Sequence, residues 1–195
     1  MTFPVICSII SSVLFCVSSI WYVSEVAKQR VLPSVATFLV LSLINASQLA
    51  SVVAKHAWLV LPFALISLAS STIVAIIGLK RKKFYLELPD KVGFIGALIG
   101  FLLWLVTNDP VTNLVVISIT ISVSFAPVII KSFKRPDLES ILPWQVNLIA
   151  SVFLLMTINS SALSVWLVPV RQIILVGLLN LGLYRGQLKL RGKTA

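Results

Sequence analysis

The chain has 195 residues, of which 58% are hydrophobic and 11% are charged, and its mean hydropathy is +1.05. An ordinary soluble domain carries about 25% charged residues, so this composition excludes a soluble globular protein. A disordered chain is excluded as well, because disorder requires low hydrophobicity and high charge. The composition predicts an integral membrane protein with little mass outside the bilayer.

Stretches that lack Asp, Glu, Lys and Arg predict an all-α fold of seven membrane-spanning helices, because a helix needs roughly 20 apolar residues to cross the hydrocarbon core. The first five predicted spans are 3–23, 34–54, 57–79, 92–108 and 110–130. The next stretch, 140–170, is too long for one span and contains the polar sequence Asn159-Ser160-Ser161. We divide it there, so that the sixth span ends near Ile158 and the seventh runs from about 162 to 184. A count of six helices is the alternative.

The basic residues predict how these spans are oriented. Fourteen of the 16 Lys and Arg residues fall on alternate loops, after the first, third, fifth and seventh spans. Loops rich in Lys and Arg stay in the cytoplasm, so we expect the N-terminus outside and the C-terminus inside. This placement argues against nucleic acid as the partner of a chain with a net charge of +10. It predicts contact with anionic lipid headgroups at the cytoplasmic face instead.

A weak internal repeat divides the chain. A helix, a basic turn, a proline and a hydroxyl residue four places later occur twice, at Pro33 and Thr37 and again at Pro136 and Ser140. The predicted domains are a first three-helix repeat over 1–83, a linker helix over 84–108, a second three-helix repeat over 109–187 and a basic cytoplasmic tail over 188–195. Both repeats begin outside and are therefore parallel, which an odd linker helix permits.

The second half resembles the SWEET sugar facilitators and the wider PQ-loop superfamily. The likeness lies in Pro127, in the helix start Leu142-Pro143-Trp144, in Pro169-Val170-Arg171 and in the closing Leu181-Gly182-Leu183-Tyr184. The resemblance implies two parallel three-helix repeats, transport of a solute bound between them, and helix prolines that act as hinges. The chain is also similar to bacterial seven-helix members of this group, which implies a location in a bacterial inner membrane. The Asn that contacts sugar in SWEETs falls on Val170 here.

Arg171 is the strongest candidate for a functional residue. An Arg in the middle of a membrane costs about 2.5 to 3.5 kcal/mol on insertion scales, so it should face the bundle interior or a water-filled cavity. We expect it to favour an anionic or strongly polar solute. The alternative is an Arg that bonds to backbone carbonyls, such as the one that Pro169 frees, or that extends to the headgroups and fixes the last helix.

Other polar residues inside the spans are further candidates for solute binding. Asn147 and Ser151 are four residues apart and share a helix face, with Trp144 one turn earlier. Asn45 and Asn180 lie in the second and seventh spans. Hydrogen bonding between helices, worth roughly 0.6 kcal/mol for each bond, is the alternative role.

Four prolines are candidate hinges for alternating access. Pro127 and Pro169 lie well inside predicted spans, where a missing backbone hydrogen bond weakens the helix. Pro143 and Pro33 lie near helix starts, where proline is tolerated. Static kinks that serve packing are the alternative.

These features predict a facilitative transporter of a small polar solute, a sugar or a small organic anion. No span contains a carboxylate deep within it, which disfavours a proton symporter. The sequence offers no catalytic constellation, metal site or cofactor site, so we expect no enzymatic activity. The alternative function is a non-transporting membrane subunit or receptor that binds another membrane protein or a second copy of itself, and Val170 favours that alternative.

Overall fold

A computed structural model of the chain describes residues 2–31, 33, 35–54, 56, 58–81, 91, 95, 99, 102, 106, 110–158 and 163–191. In these residues the protein is helical and contains no strand, as the composition predicts. The long helices are α1 (Phe3–Ala27), α2 (Val35–Ala54), α3 (Leu61–Lys80), α4 (Pro110–Lys134), α5 (Ile141–Leu155) and α6 (Leu163–Arg191). Short 3-10 turns, Trp58–Val60 and Pro136–Leu138, precede α3 and α5.

Within the described residues, four segments are long and apolar enough to cross a membrane, which fits an integral membrane protein. They are Phe3–Ala27, Trp58–Lys80, Val115–Lys134 and Trp166–Leu188. The other two described helices carry shorter apolar stretches, Val35–Ala50 and Ile141–Leu155.

Two predicted regions extend past what the structure describes. The fourth span, 92–108, and the linker domain, 84–108, lie outside the described residues except for Lys91, Ile95, Ile99, Leu102 and Val106, which are helical and exposed. The predicted tail begins at residue 188, but α6 continues to Arg191. Its last residues, Leu and Lys among them, are good helix formers, and 192–195 are outside the described part.

The turn that ends α1 shows how the sequence sets one helix boundary. The backbone amide of Arg30 bonds the carbonyl of Glu25 at 3.0 Å, and that of Gln29 bonds Val26 at 3.1 Å. Gln29 has φ 62, the left-handed conformation in which helices commonly end. The chain then enters α2 after Pro33, which lies before the helix and not inside it.

The first three helices form a triplet in which α3 lies between α1 and α2 and packs along both. Ser8 bonds the carbonyl of Leu59 near the start of both α1 and α3. At the other end, Arg81 bonds the carbonyl of Ala27 at 2.9 Å. Those two helices are therefore parallel. α2 runs antiparallel to α3, since its start at Val35 contacts Gly78 near the end of α3.

The last three helices form a second triplet with the same order, in which α6 packs along both α4 and α5. Arg171 contacts Ser118, and Gly182 lies against Phe133, so α6 is parallel to α4. Asn180 bonds the carbonyl of Trp144 at 3.0 Å, on the antiparallel α5.

The triplets meet along two pairs of helices, α1 with α5 and α2 with α4. The helices of the two triplets correspond in chain order, α1 to α4, α2 to α5 and α3 to α6. Under this correspondence the α1–α5 pair becomes the α4–α2 pair, as a two-fold axis between the triplets would require. Ser11 and Ser18 fasten the larger contact by donating to the carbonyls of Ala150 at 2.8 Å and Pro143 at 2.7 Å. These bonds make α1 antiparallel to α5, so both triplets run in the same direction.

The shared direction gathers the basic residues at one end of the bundle. This basic end carries Lys28, Arg30, Lys80, Arg81, Lys131, Lys134 and Arg135. The main apolar core lies in the same half of the molecule and includes Val26, Val176, Leu179 and Leu183, all fully buried. A smaller core around Phe15 and Phe63 lies towards the opposite end.

Candidate solute cavity

A cavity of about 110 Å³ lies between the two triplets, and all six described helices line it. Polar groups are costly to bury without hydrogen bonds. A polar lining therefore distinguishes this space from a gap in an ordinary apolar core. The polar and charged residues around the cavity are Ser18, Ser19, Tyr22, Asn45, Gln48, Ser67, Ser70, Ser71, Asn147, Arg171 and Gln172.

One side of the cavity is formed by three serines of α3 that we call the serine face: Ser67, Ser70 and Ser71. Their spacing of three and four residues places them on one side of the helix. Each hydroxyl donates to a carbonyl of its own helix, Ser67 to Phe63 at 2.8 Å and Ser70 and Ser71 to Ser67 at 3.2 and 2.8 Å. Because these protons are used locally, the hydroxyl oxygens of Ser67 and Ser70 remain available as acceptors.

Asn45 fixes the neighbouring part of the first triplet. Its side-chain amide donates to the carbonyl of Ser67 and to the hydroxyl of Ser71, both at 3.1 Å. The residue lines the cavity and also ties α2 to α3. Solute contact and interhelical bonding are therefore compatible roles for this side chain.

Arg171 provides the only charge among the described residues that line the cavity. One terminal nitrogen donates to the hydroxyl of Ser118 on α4 at 3.2 Å. The Nε atom is enclosed and has no hydrogen-bond partner within the described residues. Arg171 lies in the first third of the candidate span Trp166–Leu188, towards the end opposite the basic one.

A second concavity borders Arg171 from outside the bundle. This lateral groove, about 540 Å³ in volume, lies between α4 and α6 and is lined by apolar residues such as Trp166 and Ile174. Val170, at the position matched to the sugar-binding Asn of SWEETs, lies in this groove and is 39% exposed. It does not line the central cavity, whereas its neighbours Arg171 and Gln172 do.

Four aromatic residues close the cavity towards the basic end. This aromatic layer consists of Tyr22, Phe38, Phe125 and Trp144, one each from α1, α2, α4 and α5, and all are buried. Tyr22 lies 5.7 Å from Phe38 and 5.1 Å from Trp144, and Phe125 lies 5.6 Å from Trp144, measured between ring centroids. Such offset and edge-on pairs contribute about 0.5 to 1.5 kcal/mol each beyond the area they bury.

A buried carboxyl group, which the sequence analysis missed, lies beyond the aromatic layer. Glu139 is only 7% exposed, and its Oε1 accepts from the ammonium of Lys131 at 3.1 Å. Its Oε2 has no hydrogen-bond partner among the described residues. Burial raises the pKa of the Glu139 carboxyl above its ordinary value, although the ammonium of Lys131, the indole of Trp144 and the hydroxyl of Tyr22 oppose the shift.

The structure brings four of the six predicted binding residues together and places two elsewhere. Arg171, Asn147, Trp144 and Asn45 line the cavity. Ser151 is fully buried behind it and donates to the carbonyl of Asn147 at 2.8 Å.

Asn180 lies further along α6 towards the basic end, away from the cavity lining. Besides the interhelical bond to Trp144, its amide donates to the carbonyl of Val176 at 2.9 Å. The bond to Trp144 joins two helices, the alternative role given above, whereas the bond to Val176 stays within α6.

The four predicted hinge prolines occupy different environments. Pro127 and Pro169 lie inside α4 and α6. Pro143 is the third residue of α5 and is buried, and Pro33 precedes α2. Two of them adjoin the aromatic layer, since Pro127 is two residues from Phe125 and Pro143 is next to Trp144.

Sequence reasoning also missed Gln172 and the serine face. Gln172 approaches Asn147 across the α5–α6 contact, at 3.5 Å between its amide nitrogen and the Asn147 side-chain oxygen. The i, i+3, i+4 spacing of the serines was a usable signal, since three hydroxyl residues on one face of an apolar helix mark a polar surface.

A comparison of the chain with models of known protein families found no match, and comparisons with curated proteins and with solved structures found none either. The likeness to SWEETs therefore rests on the residues that carry it.

Proposed function

We propose that the protein is a facilitative membrane transporter that moves a small polar solute by alternating access between its two helix triplets. The cavity between the triplets is the observation that carries this proposal. It combines polar residues from both triplets with the partly buried guanidinium of Arg171. An intramembrane ionisable residue beside such a space is expected in a solute pathway.

The arrangement of the triplets supports a SWEET-like architecture with seven spans. α3 ends at the basic end and α4 begins at the opposite end, so the chain between them has to return along the length of the bundle. A linker helix over 84–108 would make that return and would give the parallel repeats predicted from the sequence. The positive-inside rule then assigns the basic end to the cytoplasm and the N-terminus to the outside.

The positions of the prolines support a mechanism by which the cavity changes access. The aromatic layer closes the cytoplasmic side, and Phe125 and Trp144 lie beside Pro127 and Pro143. A bend at Pro127 displaces the ring of Phe125, because α4 lacks a backbone hydrogen bond there. Pro169 lies two residues before Arg171 inside α6, so a bend at Pro169 displaces Arg171 in the same way.

The non-transporting alternative loses its main support. It relied on Val170 at the position of the sugar-contacting Asn. Val170 lies in the lateral groove, so its apolar side chain leaves the polarity of the cavity unchanged. A protein that used this fold only for docking would need no partly buried Arg beside an internal space.

Uptake into liposomes that contain the purified protein tests transport. We expect uptake of at least one member of a panel of small sugars and organic anions, driven by its own gradient. A second preparation carries Ser11→Cys with Ala150→Cys, in a background where Cys7 and Cys16 are replaced by Ser. The Ser11 hydroxyl lies 2.8 Å from the carbonyl of Ala150, and neither residue lines the cavity. Oxidation should hold α1 against α5, so that the aromatic layer cannot open, and should stop uptake; reduction should restore it.

The matched controls are the two single-cysteine variants, which should keep their uptake under oxidation. Absence of uptake of every panel member by folded, correctly reconstituted protein would contradict the proposed function. Full uptake by the cross-linked protein would contradict the role of the aromatic layer.

A further inference from the structure

The two sides of the cavity differ in hydrogen-bonding character. The α6 side presents Arg171, whose guanidinium can only donate hydrogen bonds and gives one terminal nitrogen to the hydroxyl of Ser118. The α3 side presents the oxygens of Ser67 and Ser70, whose own protons are already given to backbone carbonyls. α3 and α6 belong to different triplets, so these surfaces face the cavity from the two sides.

Within the described residues, no carboxylate at the cavity balances the charge of Arg171. Among these residues, Arg171 bonds only the neutral hydroxyl of Ser118. An anion in the cavity would supply the missing counter-charge. Guanidinium–carboxylate pairs form short, charge-assisted hydrogen bonds that are roughly twice as strong as neutral ones.

The size of the cavity limits the anion. One water needs about 10 to 15 Å³ measured in this way, so a cavity of about 110 Å³ holds a three-carbon solute more readily than a hexose. The serine oxygens require that this solute also carry a hydrogen-bond donor away from its carboxylate.

We propose that the solute is a small hydroxycarboxylate, with its carboxylate on Arg171 and its hydroxyl donating to the serine face. This inference rests on the proposed transport function, because it names the solute of the same cavity. Both polar ends of the solute then have a hydrogen-bonding partner in the protein.

Three solutes of equal carbon number separate the two contacts: lactate, propionate without the hydroxyl, and glycerol without the carboxylate. Calorimetric titration of the purified full chain at pH 7 should give an affinity for lactate about tenfold or more above that for glycerol. Propionate should bind about fivefold more weakly than lactate, because it lacks one neutral hydrogen bond.

Variants assign each preference to its residues. Arg171→Gln should abolish the preference for lactate over glycerol, whereas Arg185→Gln, which removes the same charge from an exposed position of the same helix, should keep it. Ser67→Ala with Ser70→Ala should abolish the preference for lactate over propionate. Ser42→Ala is the control, since Ser42 donates to its own helix at Phe38 and does not line the cavity.

Binding and transport distinguish this inference from the proposed function. Equal or tighter binding of glycerol by the wild-type protein, or full lactate affinity in a folded Arg171→Gln variant, would overturn the inference even if transport occurs. Lactate that binds with the expected preferences but never crosses a proteoliposome membrane would overturn the transport proposal and leave the inference standing. The wild-type preferences need no variant, so the test does not depend on whether Arg171→Gln folds.

Discussion

Glu139 shows how a single buried side chain joins the two triplets. Its carboxyl lies just before α5 in the second triplet, and the hydroxyl of Tyr22 from α1 lies near enough to affect its pKa. Lys131 neutralises one oxygen only. Because burial dominates, the folded protein holds the proton of this carboxyl more strongly than the unfolded chain does.

This difference predicts a pH dependence of stability. The folded-state pKa of Glu139 is raised, so its contribution to stability is fully present below the ordinary pKa of 4.5 and is lost as the pH rises through the raised value. Glu139→Gln cannot titrate and should remove this component. Thermal unfolding of the detergent-solubilised protein across that pH range measures it.

The control for this prediction is Asp137→Asn, which removes an exposed acid two residues away. This variant should retain the pH-dependent part of the stability that the wild-type protein shows, because Glu139 is intact. Identical pH profiles for Glu139→Gln and the wild-type protein would contradict a raised pKa at this position.

At the scale of helices, the contact between α4 and α6 depends on a glycine. A Cβ atom at Gly182 would lie 2.8 Å from the ring carbon Cδ2 of Phe133 and would also overlap the hydroxyl of Ser132. Ser132 is fully buried and donates to the carbonyl of Ile129 at 2.7 Å. The absence of a side chain at residue 182 therefore permits the close approach of these two helices.

We expect Gly182→Ala to destabilise the protein by about 1 to 3 kcal/mol, the usual cost of overpacking. Gly177→Ala is the matched control on the same helix, because nothing lies within 4 Å of a Cβ there. That variant should be neutral or stabilising by up to about 1 kcal/mol, since Ala favours helix over Gly. Thermal unfolding midpoints of both variants measure this difference in stability. Equal midpoints would show that α4 and α6 accommodate a methyl group at residue 182 without loss of stability.

The helices could be predicted from the sequence better than the site. Hydrophobic length is a local property, so apolar stretches predict α1, α3, α4 and α6 closely. Which side of a helix lines the cavity depends on how the neighbouring helices pack against it. It also depends on how far along the helix the cavity lies. Asn180 and Asn147 are equally polar, yet one bonds the backbone of Trp144 and the other lines the cavity.

Glu139 and the aromatic layer illustrate the same limit. Glu139 is adjacent to a loop and has the sequence context of an exposed acid. Only the packing of the two triplets buries it. The rings of Tyr22 and Trp144 are 122 positions apart in sequence, and no local pattern indicates that they touch.

For the whole molecule, the repeated order of the triplets is the feature with the widest consequences. Both triplets place their third helix between the other two, and both run in the same direction. Two such three-helix units in one bilayer need an odd number of spans in the segment that links the end of the first to the start of the second. The seven-span count and the six-span alternative therefore place the end of α6 on opposite sides of the membrane.

Cysteine labelling in intact cells separates these topologies. In a background without Cys7 and Cys16, single cysteines at Gln29, Asp137 and Arg185 should resist a membrane-impermeant maleimide until the membrane is permeabilised. Cysteines at His56 and Met156, which lie in exposed positions at the opposite end, should react at once. If Arg185→Cys reacts without permeabilisation while Gln29→Cys does not, the two triplets do not share an orientation in the membrane. Rocking of two equivalent halves about a central cavity would then lose its structural basis, because the basic end could not form a single cytoplasmic face.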